Sequence, residues 1–252
     1  MIEILILSFV QGVTEFIPIS SSSHLIIISE FMNFQDQNLS IDVSLHIGSF
    51  IAVLTYFNKD ILNFFENRKL FIKILVSSIP VMIVGYILIK TNLIHELRSI
   101  KVIGWMTIIF GCLLYISDKC NLQKNIKSNF NYKSALIIGL FQITSLIPGV
   151  SRSGVTITAA RFLNFNRYDS AKISFLLSIP TLGAVSVFGL RNIIISSDTI
   201  FSTLNLLSIF LSFLISYITI KFFLEYLKKF SLSFFVAYRM ILGVILLYFA
   251  YL

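Results

Sequence analysis

The sequence predicts an all-α polytopic membrane protein, and its composition, its hydropathy and the spacing of its apolar segments together predict this class. Of the 252 residues, 56% are hydrophobic and only 13% are charged, and the mean hydropathy is +0.88. Typical soluble domains carry about 25% charged residues, so this composition is suited to lipid rather than to water. The chain is therefore best divided into crossings of about 20 residues each. We expect a single integral membrane domain over residues 1–252.

Six segments are long and apolar enough to cross a bilayer as single helices. Few charges interrupt them, which is typical of transmembrane helices rather than of helices in a soluble core. The predicted crossings are residues 41–57, 70–90, 100–117, 168–190, 200–226 and 234–252.

Two further apolar stretches, 2–33 and 133–163, are interrupted at their centres by proline and serine. The first contains PISSSSH and the second contains PGVSRSG. Pro18 and Pro148 cannot continue a helix in the normal way, and serine and glycine favour caps and turns. Each stretch is therefore predicted to form two short helices joined by a polar turn, entering and leaving the membrane on the same side.

The order of a broken pair followed by three crossings occurs twice, which divides the chain into halves of about 1–118 and 133–252. An ungapped alignment of the two broken pairs at an offset of 130 matches their prolines and also matches Ser21 with Ser151. Because three crossings is an odd number, the second half enters from the opposite side. The sequence thus predicts an inverted-topology repeat whose broken pairs meet near the midplane of the membrane.

The net charge of +8 lies mainly in short connections between the apolar segments. This distribution favours contact with a membrane surface and argues against nucleic-acid binding. Loops 58–69, 118–133 and 227–233 hold nine Lys and Arg residues, whereas the loops on the other side hold only Arg98, Lys101 and Arg191. The positive-inside rule therefore places the first three loops in the cytoplasm. Both termini are then predicted on the periplasmic or exterior side.

The first broken pair carries polar and ionisable residues, which are costly inside a membrane and by default mark a functional site. Gln11 and Glu15 are four residues apart, so their side chains share one face of the first short helix. Together they are suited to holding a cation or positioning a water. Ser21, Ser22 and His24 follow in the predicted turn, where helix N–H groups and the helix dipole favour an anion.

The second broken pair carries a comparable set at its own turn, namely Ser151, Arg152, Ser153 and Thr156. The planar guanidinium of Arg152 presents its donors in a geometry that suits phosphate oxygens. Brought together, the two turns would offer two helix N-termini, hydroxyls, a guanidinium, an imidazole and a carboxylate. Phosphate or diphosphate is the ligand that this combination suits best.

Two motifs resemble a known family. QGVTEFIPISSSSHL resembles the (E/Q)xxxE motif and serine turn of the undecaprenyl-diphosphatase family, and PGVSRSGVTI resembles that family's PGxSRSxxT signature. NRYDSAKISFLLSIP, at 166–180, is similar to the family sequence that follows the second signature. The resemblance implies a bacterial inner-membrane enzyme that hydrolyses undecaprenyl diphosphate to undecaprenyl phosphate, the lipid carrier of wall polymer synthesis. It further implies a divalent cation, Mg or Ca, with membrane lipids as partners, and it is compatible with a homo-oligomer.

The resemblance implies which residues of this chain correspond to the site residues of the family. Gln11 and Glu15 correspond to the (E/Q)xxxE pair. The serine turn and the second signature correspond to Ser21, Ser22, His24, Ser151, Arg152, Ser153 and Thr156. Of these, the expected substrate-binding residues are Ser22, Ser151, Ser153 and Thr156. One position departs from the family pattern, because Ser23 stands where the family commonly has glycine, which adopts a positive φ more easily.

The chemistry expected of these residues is an in-line attack on a phosphoryl group. We expect Glu15, with help from Gln11, to hold the metal, and Arg152 to stabilise the phosphoryl oxygens as the bond breaks. Two attacking groups remain open: the Ser21 hydroxyl with His24 as its acid/base partner, or a water activated by His24 or Glu15. The alternative function is a polyprenyl-phosphate flippase without hydrolysis, since inverted repeats with broken helices are also typical of transporters.

Overall fold

The computed structural model describes residues 1–32, 39–66, 68–91, 98–120, 124–195 and 202–252. These residues form α-helices, with an isolated β-bridge between Lys124 and Phe165. The all-α prediction is thereby confirmed. In chain order the helices are α1 (Ile2–Thr14), α2 (Ser21–Met32), α3 (Leu39–Tyr56), α4 (Asn58–Glu66), α5 (Arg68–Lys90), α6 (Ile100–Asp118), α7 (Ile126–Asn129), α8 (Tyr132–Ile143), α9 (Arg152–Phe162), α10 (Arg167–Ile195), α11 (Thr203–Lys229) and α12 (Ser233–Tyr251).

Six of these helices are long and apolar enough to cross a bilayer: α3, α5, α6, α10, α11 and α12. They confirm the six predicted crossings, with ends that differ by a few residues, and residues 200 and 201 of the crossing 200–226 lie outside the described residues. The largest difference is in α10, which continues to Ile195 although the predicted segment ends at 190. Its internal Pro180 is accommodated without ending the helix, as is common for proline in transmembrane helices.

Helices from the two halves of the chain pack on each other. α1 lies against α11 and α8 lies against α5, so the first short helix of each broken pair packs on a crossing from the other half. α3 packs along both α10 and α11, and α6 packs along α12. This crossed packing is the pattern that two interlocked repeats require. The inverted orientation of the halves, and the side on which each pair enters, stay predictions.

Close packing of α1 on α11 depends on a glycine next to the candidate site. A Cβ at Gly12 would lie 2.7 Å from Cβ of Ile215, so a larger residue would push the two helices apart. Gln11 precedes this contact and Glu15 follows it by less than one turn, and both are buried. The packing of α1 therefore holds the polar residues of the first broken pair inside the bundle.

Both broken pairs are interrupted where the sequence predicts. α1 ends at Thr14 and α2 begins at Ser21. In the second pair, a short 3₁₀ turn at Thr144–Leu146 follows α8, and α9 begins at Arg152. The predicted broken helices are therefore present in both halves.

The backbone is alike in the two pairs at the point where the second helix begins. Ser20 and Ser151 immediately precede α2 and α9, and their φ angles are 76° and 69°. They are 131 residues apart, and the same offset pairs Gln11 with Gln142. The predicted pairing of Ser21 with Ser151, at an offset of 130, is corrected by one residue. The prolines that fixed the alignment lie in the loops, where the two breaks differ in conformation, and not at the helix starts.

The serine run also divides differently from the prediction. Ser21, Ser22 and His24 belong to the first turns of α2 rather than to the preceding turn. Ser23, which replaces the family glycine, is helical, and Ser20 adopts the positive φ instead. A non-glycine residue in this region is strained by about 1–3 kcal/mol and persists only when its surroundings hold it.

Candidate active site

The two helix breaks meet in the interior of the bundle. Ser153 Oγ donates a hydrogen bond of 2.9 Å to the carbonyl of Ile17. Arg152 Nη2 lies 2.6 Å from Glu15 Oε1. Each of these contacts joins the first broken pair to the second, so residues more than 130 positions apart form one polar cluster.

Glu15 is the centre of this cluster. Its side chain is 7% exposed, and Oε1 accepts the hydrogen bond from Arg152. Oε2 accepts from Gln11 Nε2 at 3.1 Å and from Ser21 Oγ at 2.8 Å. Additional hydrogen bonds to the carboxylate offset part of the desolvation that a buried ion pair requires. Four predicted site residues are therefore in direct contact.

The guanidinium of Arg152 is also held on its other side, by α10. Nη1 donates to the carbonyl of Ser174 at 3.1 Å, and Ser174 Oγ accepts from Thr156 Oγ1 at 2.7 Å. Ser174 was not predicted as a site residue, because it lies in the crossing 168–190, outside the two broken pairs. Contacts on both sides fix the orientation of the guanidinium, and its expected role in binding phosphate oxygens stays a prediction.

Ser151 and Ser153 stabilise the second break. Ser151 accepts a hydrogen bond from the backbone N–H of Gly154 at 3.1 Å, and so caps α9. Its hydroxyl also lies 3.2 Å from that of Ser153, which bonds to Ile17. The geometry thus gives both serines a structural role, and their predicted substrate-binding roles, like that of Thr156, stay predictions.

The remaining serines of the first break differ in exposure. Ser20 Oγ lies 2.9 Å from Oγ of the buried Ser23, and this contact ties the strained residue to α2. Ser22 is exposed, and its hydroxyl lies 3.4 Å from that of Ser20. Of these three hydroxyls, that of Ser22 is therefore the most available to a ligand.

His24 is bonded to groups other than Ser21. Its Nδ1 lies 2.7 Å from the carbonyl oxygen of Ser20, and because a carbonyl only accepts, Nδ1 carries a proton. Its Nε2 lies 2.6 Å from the hydroxyl of Tyr238, and the two rings stack with centroids 5.7 Å apart. The expected pair of Ser21 and His24 is thus replaced by a pair of Ser21 and Glu15. The reason is that the break folds the start of α2 back toward α1.

We expect Tyr238→Phe to lower kcat for the reaction of this site about tenfold, because His24 is bonded to Tyr238 and to the Ser20 carbonyl and so positions the start of α2, which carries Ser21. The change removes one neutral hydrogen bond and leaves the ring contact in place. The KM should change little, since Tyr238 does not contact Arg152 or Glu15. The matched control is Tyr248→Phe, which changes an exposed tyrosine of the same helix. Equal kcat in the two variants would exclude a role for the Tyr238 hydroxyl.

His46 joins the site from α3, although its place near Asp42 at the start of a predicted crossing suits an interface pair equally well, so it was not among the predicted site residues. Its Nδ1 lies 2.9 Å from Gln11 Nε2. Because the Glu15 carboxylate only accepts, the Gln11 amide must present its NH₂ group to Glu15 and to His46. Gln11 Oε1 is then buried without a hydrogen-bond partner in the described part of the chain. A buried carbonyl oxygen beside a carboxylate matches the oxygen ligands that Mg and Ca prefer.

Arg239, on α12, is a fully buried cation that binds both breaks. Its Nη1 donates to the carbonyls of Pro18 and Val150, both at 3.1 Å. Its Nη2 donates to the carbonyls of Gly149 at 2.8 Å and Val150 at 3.2 Å, and its Nε donates to Thr107. These contacts satisfy carbonyls that the interrupted helices leave free. Within the described residues no carboxylate pairs with Arg239, so its charge adds positive potential beside both breaks.

A signal for Arg239 was present in the sequence. The stretch FFVAYRMILGV places an arginine inside an otherwise apolar crossing. Such a residue marks a functional or structural site by default, since an unpaired cation in lipid is costly. The prediction missed it because the two broken pairs supplied all the other candidates.

The fold and the site define a class of protein. It is an integral membrane protein in which two helix breaks bring a buried carboxylate and a guanidinium together inside the helical bundle. Comparison with known proteins narrows this class. The family described as bacitracin resistance protein BacA matches residues 4–245. The chain therefore belongs to the BacA family.

Individual relatives resemble the chain over nearly its whole length. It is 52% identical to an undecaprenyl-diphosphatase of Pelagibacter ubique, covering 97% of this chain and 96% of the relative. It is 39% identical to an undecaprenyl-diphosphatase of Jannaschia sp., covering 98% of this chain and 97% of the relative. An undecaprenyl-diphosphatase 1 of Pseudoalteromonas translucida is also 39% identical, covering 98% of each chain. The likeness thus includes both broken pairs and all six crossings.

Proposed function

We propose that this chain is an undecaprenyl-diphosphatase, which hydrolyses the terminal phosphate of undecaprenyl diphosphate to give undecaprenyl phosphate and inorganic phosphate. Its membership of the BacA family and the names of its relatives support this activity. The observation that assigns this activity to a site is the contact of Arg152 with Glu15. Glu15 also accepts a hydrogen bond from Ser21, so a guanidinium, a carboxylate and a hydroxyl lie together at the junction of the two breaks.

The diphosphate group binds at this junction, and the polyprenyl tail lies along the apolar crossings. Arg152 is held by Glu15 in the structure, and an entering phosphate competes for the guanidinium as a second anionic partner. The first turns of α2 and α9 add backbone N–H groups and positive dipole ends. Arg239 lies behind both breaks and adds positive charge without contacting the ligand. The site therefore favours an anion despite its burial.

The hydroxyl of Ser21 is the nucleophile. It donates its proton to Glu15 Oε2, 2.8 Å away, as its oxygen attacks the terminal phosphorus. The bond from that phosphorus to the bridging oxygen breaks, and undecaprenyl phosphate leaves. Water then attacks the phosphoserine, and the bond from phosphorus to the Ser21 oxygen breaks. Glu15 returns its proton to that oxygen, which restores the hydroxyl, and inorganic phosphate leaves with both hydrogens of the water. Arg152 stabilises the charge on the phosphoryl oxygens in both steps.

We expect Ser21→Ala to lower kcat at least 1,000-fold, on the order of the loss seen when a catalytic nucleophile is removed, and to abolish formation of a phosphoenzyme. The measurement is acid quenching with substrate labelled in the terminal phosphate, followed by counting of label on the protein. The control is Ser128→Ala, an exposed serine on α7. Turnover by Ser21→Ala within tenfold of the wild-type rate would instead assign the attack to water.

A divalent cation, Mg or Ca, fits the same place. Glu15 and the unpartnered Oε1 of Gln11 are the residues that would hold it. The described part of the chain contains no group of three or more His, Cys, Asp or Glu side chains suited to a metal. Substrate oxygens and water would therefore complete the coordination, as is usual for Mg. When bound, the cation would neutralise part of the diphosphate charge.

One experiment separates hydrolysis from the flippase alternative. The purified chain is incubated in detergent with a polyprenyl diphosphate, with Mg or Ca and again with a chelator, and inorganic phosphate is measured. We expect release with the cation and loss of release with the chelator. Detergent has no opposite leaflet, so a flippase without hydrolysis would release nothing under either condition.

The chain is a multi-pass membrane protein, and we place it in the bacterial inner membrane with both termini outside. The basic loop 118–133 then faces the cytoplasm. Cys120 lies in this loop and reports on the assignment when Cys112 is replaced by serine. A membrane-impermeant thiol reagent should label Cys120 in lysed cells but not in intact cells. Rapid labelling in intact cells would reverse the topology.

A further inference from the structure

A polar cavity lies near the end of α9 that is opposite Arg152. Its volume is about 590 Å³, which falls in the range of about 300–1,000 Å³ typical of ligand sites. Arg161, which contacts Asp118 of its lining, follows Arg152 by nine residues, so these two arginines are about 14 Å apart along α9. We call it the Asp118 pocket, and the residues that matter in its lining are Asp118, Lys119, Cys120, Arg167, Ser231 and Ser233.

Asp118 is the one carboxylate among these lining residues, and its oxygens already have partners in the protein. Asp118 accepts hydrogen bonds from Arg167 Nε at 2.7 Å and Nη2 at 3.1 Å, and from the backbone N–H of Leu232 at 3.0 Å. The buried Arg161 approaches it to 3.6 Å. Asp118 thus joins α6, α9, α10 and the connection before α12 into a fixed wall. Because Arg161 and Arg167 neutralise the Asp118 carboxylate, this carboxylate is not suited to binding a metal ion in the pocket.

Hydrogen-bond donors remain free around this wall. Arg167 uses Nε and Nη2 on Asp118, and its Nη1 bonds to nothing in the described ranges. The ammonium of Lys119 lies 4.2 Å above the ring of Tyr115 and likewise donates no hydrogen bond to a described residue. Both cations are therefore available to an anion. Arg167 presents a planar guanidinium and Lys119 a compact ammonium, and both groups commonly bind phosphate in proteins.

The start of α12 contributes further donors. Ser233 is the first residue of this 19-residue helix, and Ser231 precedes it by two positions. Their hydroxyls are 3.1 Å apart and line the same cavity as Lys119 and Arg167. The positive end of the helix dipole adds to the two side-chain charges. Cations, hydroxyls and a helix N-terminus thus converge on one volume.

The position of the pocket indicates where its ligand comes from. It lies at the last turn of α6 and the first turn of α12, so it is level with the end of the membrane-spanning region. Tyr115 and Lys119 lie at its edge, and Tyr226, which stacks on Phe230, is five residues before Ser231. Tyrosine is enriched at the interface between membrane and water, and lysine is common just outside it. Lipid head groups occupy this depth.

We propose that the Asp118 pocket binds the phosphate group of an anionic ligand at the membrane surface. Two sources share this chemistry, the head group of an anionic phospholipid and free inorganic phosphate. The site is separate from the junction of the breaks, and it does not depend on the reaction proposed there.

Cys120 lines the pocket and serves as the reporter. The full chain with Cys112→Ser is purified in detergent, and the rate of maleimide labelling of Cys120 is measured alone, with phosphatidylglycerol, with phosphatidylcholine and with inorganic phosphate. We expect phosphatidylglycerol to slow labelling at least threefold and phosphatidylcholine to leave it unchanged. Slowing by inorganic phosphate as well assigns the ligand to a free anion. Equal rates in all four conditions would overturn the proposal.

Lys119→Gln tests the pocket itself, since it removes one cation and leaves the Asp118 network intact. Protection of Cys120 should fall to less than half of its former extent. The matched control is Lys101→Gln, because Lys101 lies at the opposite end of α6 and 4.7 Å above the ring of Tyr251. Protection should persist in this control. Equal loss in both variants, or full protection in Lys119→Gln, would show that the effect arises outside the pocket.

Discussion

Glu15→Gln should lower the rate of phosphate release at least about 100-fold, the loss typical of removing one preorganised electrostatic contact in an active site. The amide keeps the shape of the side chain but provides neither the negative charge that holds Arg152 at 2.6 Å nor the base that accepts the Ser21 proton. Arg152→Met should have an effect of similar size, because it removes the guanidinium that stabilises the phosphoryl oxygens. Both are measured as initial rates on purified protein.

The control for Glu15→Gln is a second ion pair with the same separation. Asp60 lies 2.6 Å from Lys172, and both side chains are about a quarter exposed. Pairs that are open to solvent contribute about 1 kcal/mol or less, so Asp60→Asn should change neither folding nor rate by much. Monodisperse elution of each variant shows that it is folded. Turnover by Glu15→Gln close to that of Asp60→Asn would remove Glu15 from the active site.

Arg239→Met should both destabilise the protein and inactivate it. The change leaves the carbonyls of Pro18, Gly149 and Val150 buried without donors, and each such group costs about 1–3 kcal/mol. Together the three carbonyls cost about 3–9 kcal/mol, so the apparent melting temperature should fall by about 6 °C or more. Activity should fall more than stability alone requires, since the positive φ of Ser20 and Ser151 depends on the breaks being held together.

Two further variants distinguish the contacts of Arg239 from its charge. Arg239→Lys keeps the charge but has too few donors in the right geometry to reach both breaks, so its melting temperature and rate should lie between those of the wild type and Arg239→Met. Arg191→Met changes an exposed arginine of α10 and should leave both quantities unchanged. A wild-type melting temperature and rate in Arg239→Met would show that the breaks hold their own geometry.

The fold follows closely from the sequence because lipid restricts the chain to few solutions. A segment of about 20 apolar residues must satisfy its backbone internally, so it forms a helix wherever it crosses. The same constraint makes Pro18 and Pro148 visible as interruptions. Helix ends were less well predicted, as α10 shows, because the apolar pattern continues into the interface.

The composition of the site was predictable, but its pairings were not. Glu15, Ser21 and Arg152 were expected to share a cavity, and the structure places them in contact. If Ser21 attacks, its expected acid/base partner was His24, since a hydroxyl needs a nearby base to react at neutral pH. The break instead turns Ser21 toward Glu15 and leaves His24 to Tyr238, a residue more than 200 positions away. Local sequence carries no information on a contact of that kind.

The residues that were missed share one property, which is that they support the site from crossings outside the broken pairs. His46 lies on α3, Ser174 on α10 and Arg239 on α12. Their roles depend on how helices of the two halves pack, and packing is set by contacts that a single sequence does not display. Two of them carried a signal, because Arg239 and His46 are both ionisable residues inside predicted membrane helices.

The central claim is that the junction of the two breaks cleaves the terminal phosphate from a polyprenyl diphosphate. Phosphorus NMR of a turnover mixture tests it directly, because substrate, polyprenyl phosphate, inorganic phosphate and inorganic diphosphate give separate signals. Wild-type protein with Mg or Ca should produce polyprenyl phosphate and inorganic phosphate at equal rates, and Glu15→Gln should produce neither. Release of inorganic diphosphate, an unchanged substrate signal with folded wild-type protein, or full activity in Glu15→Gln would contradict the account.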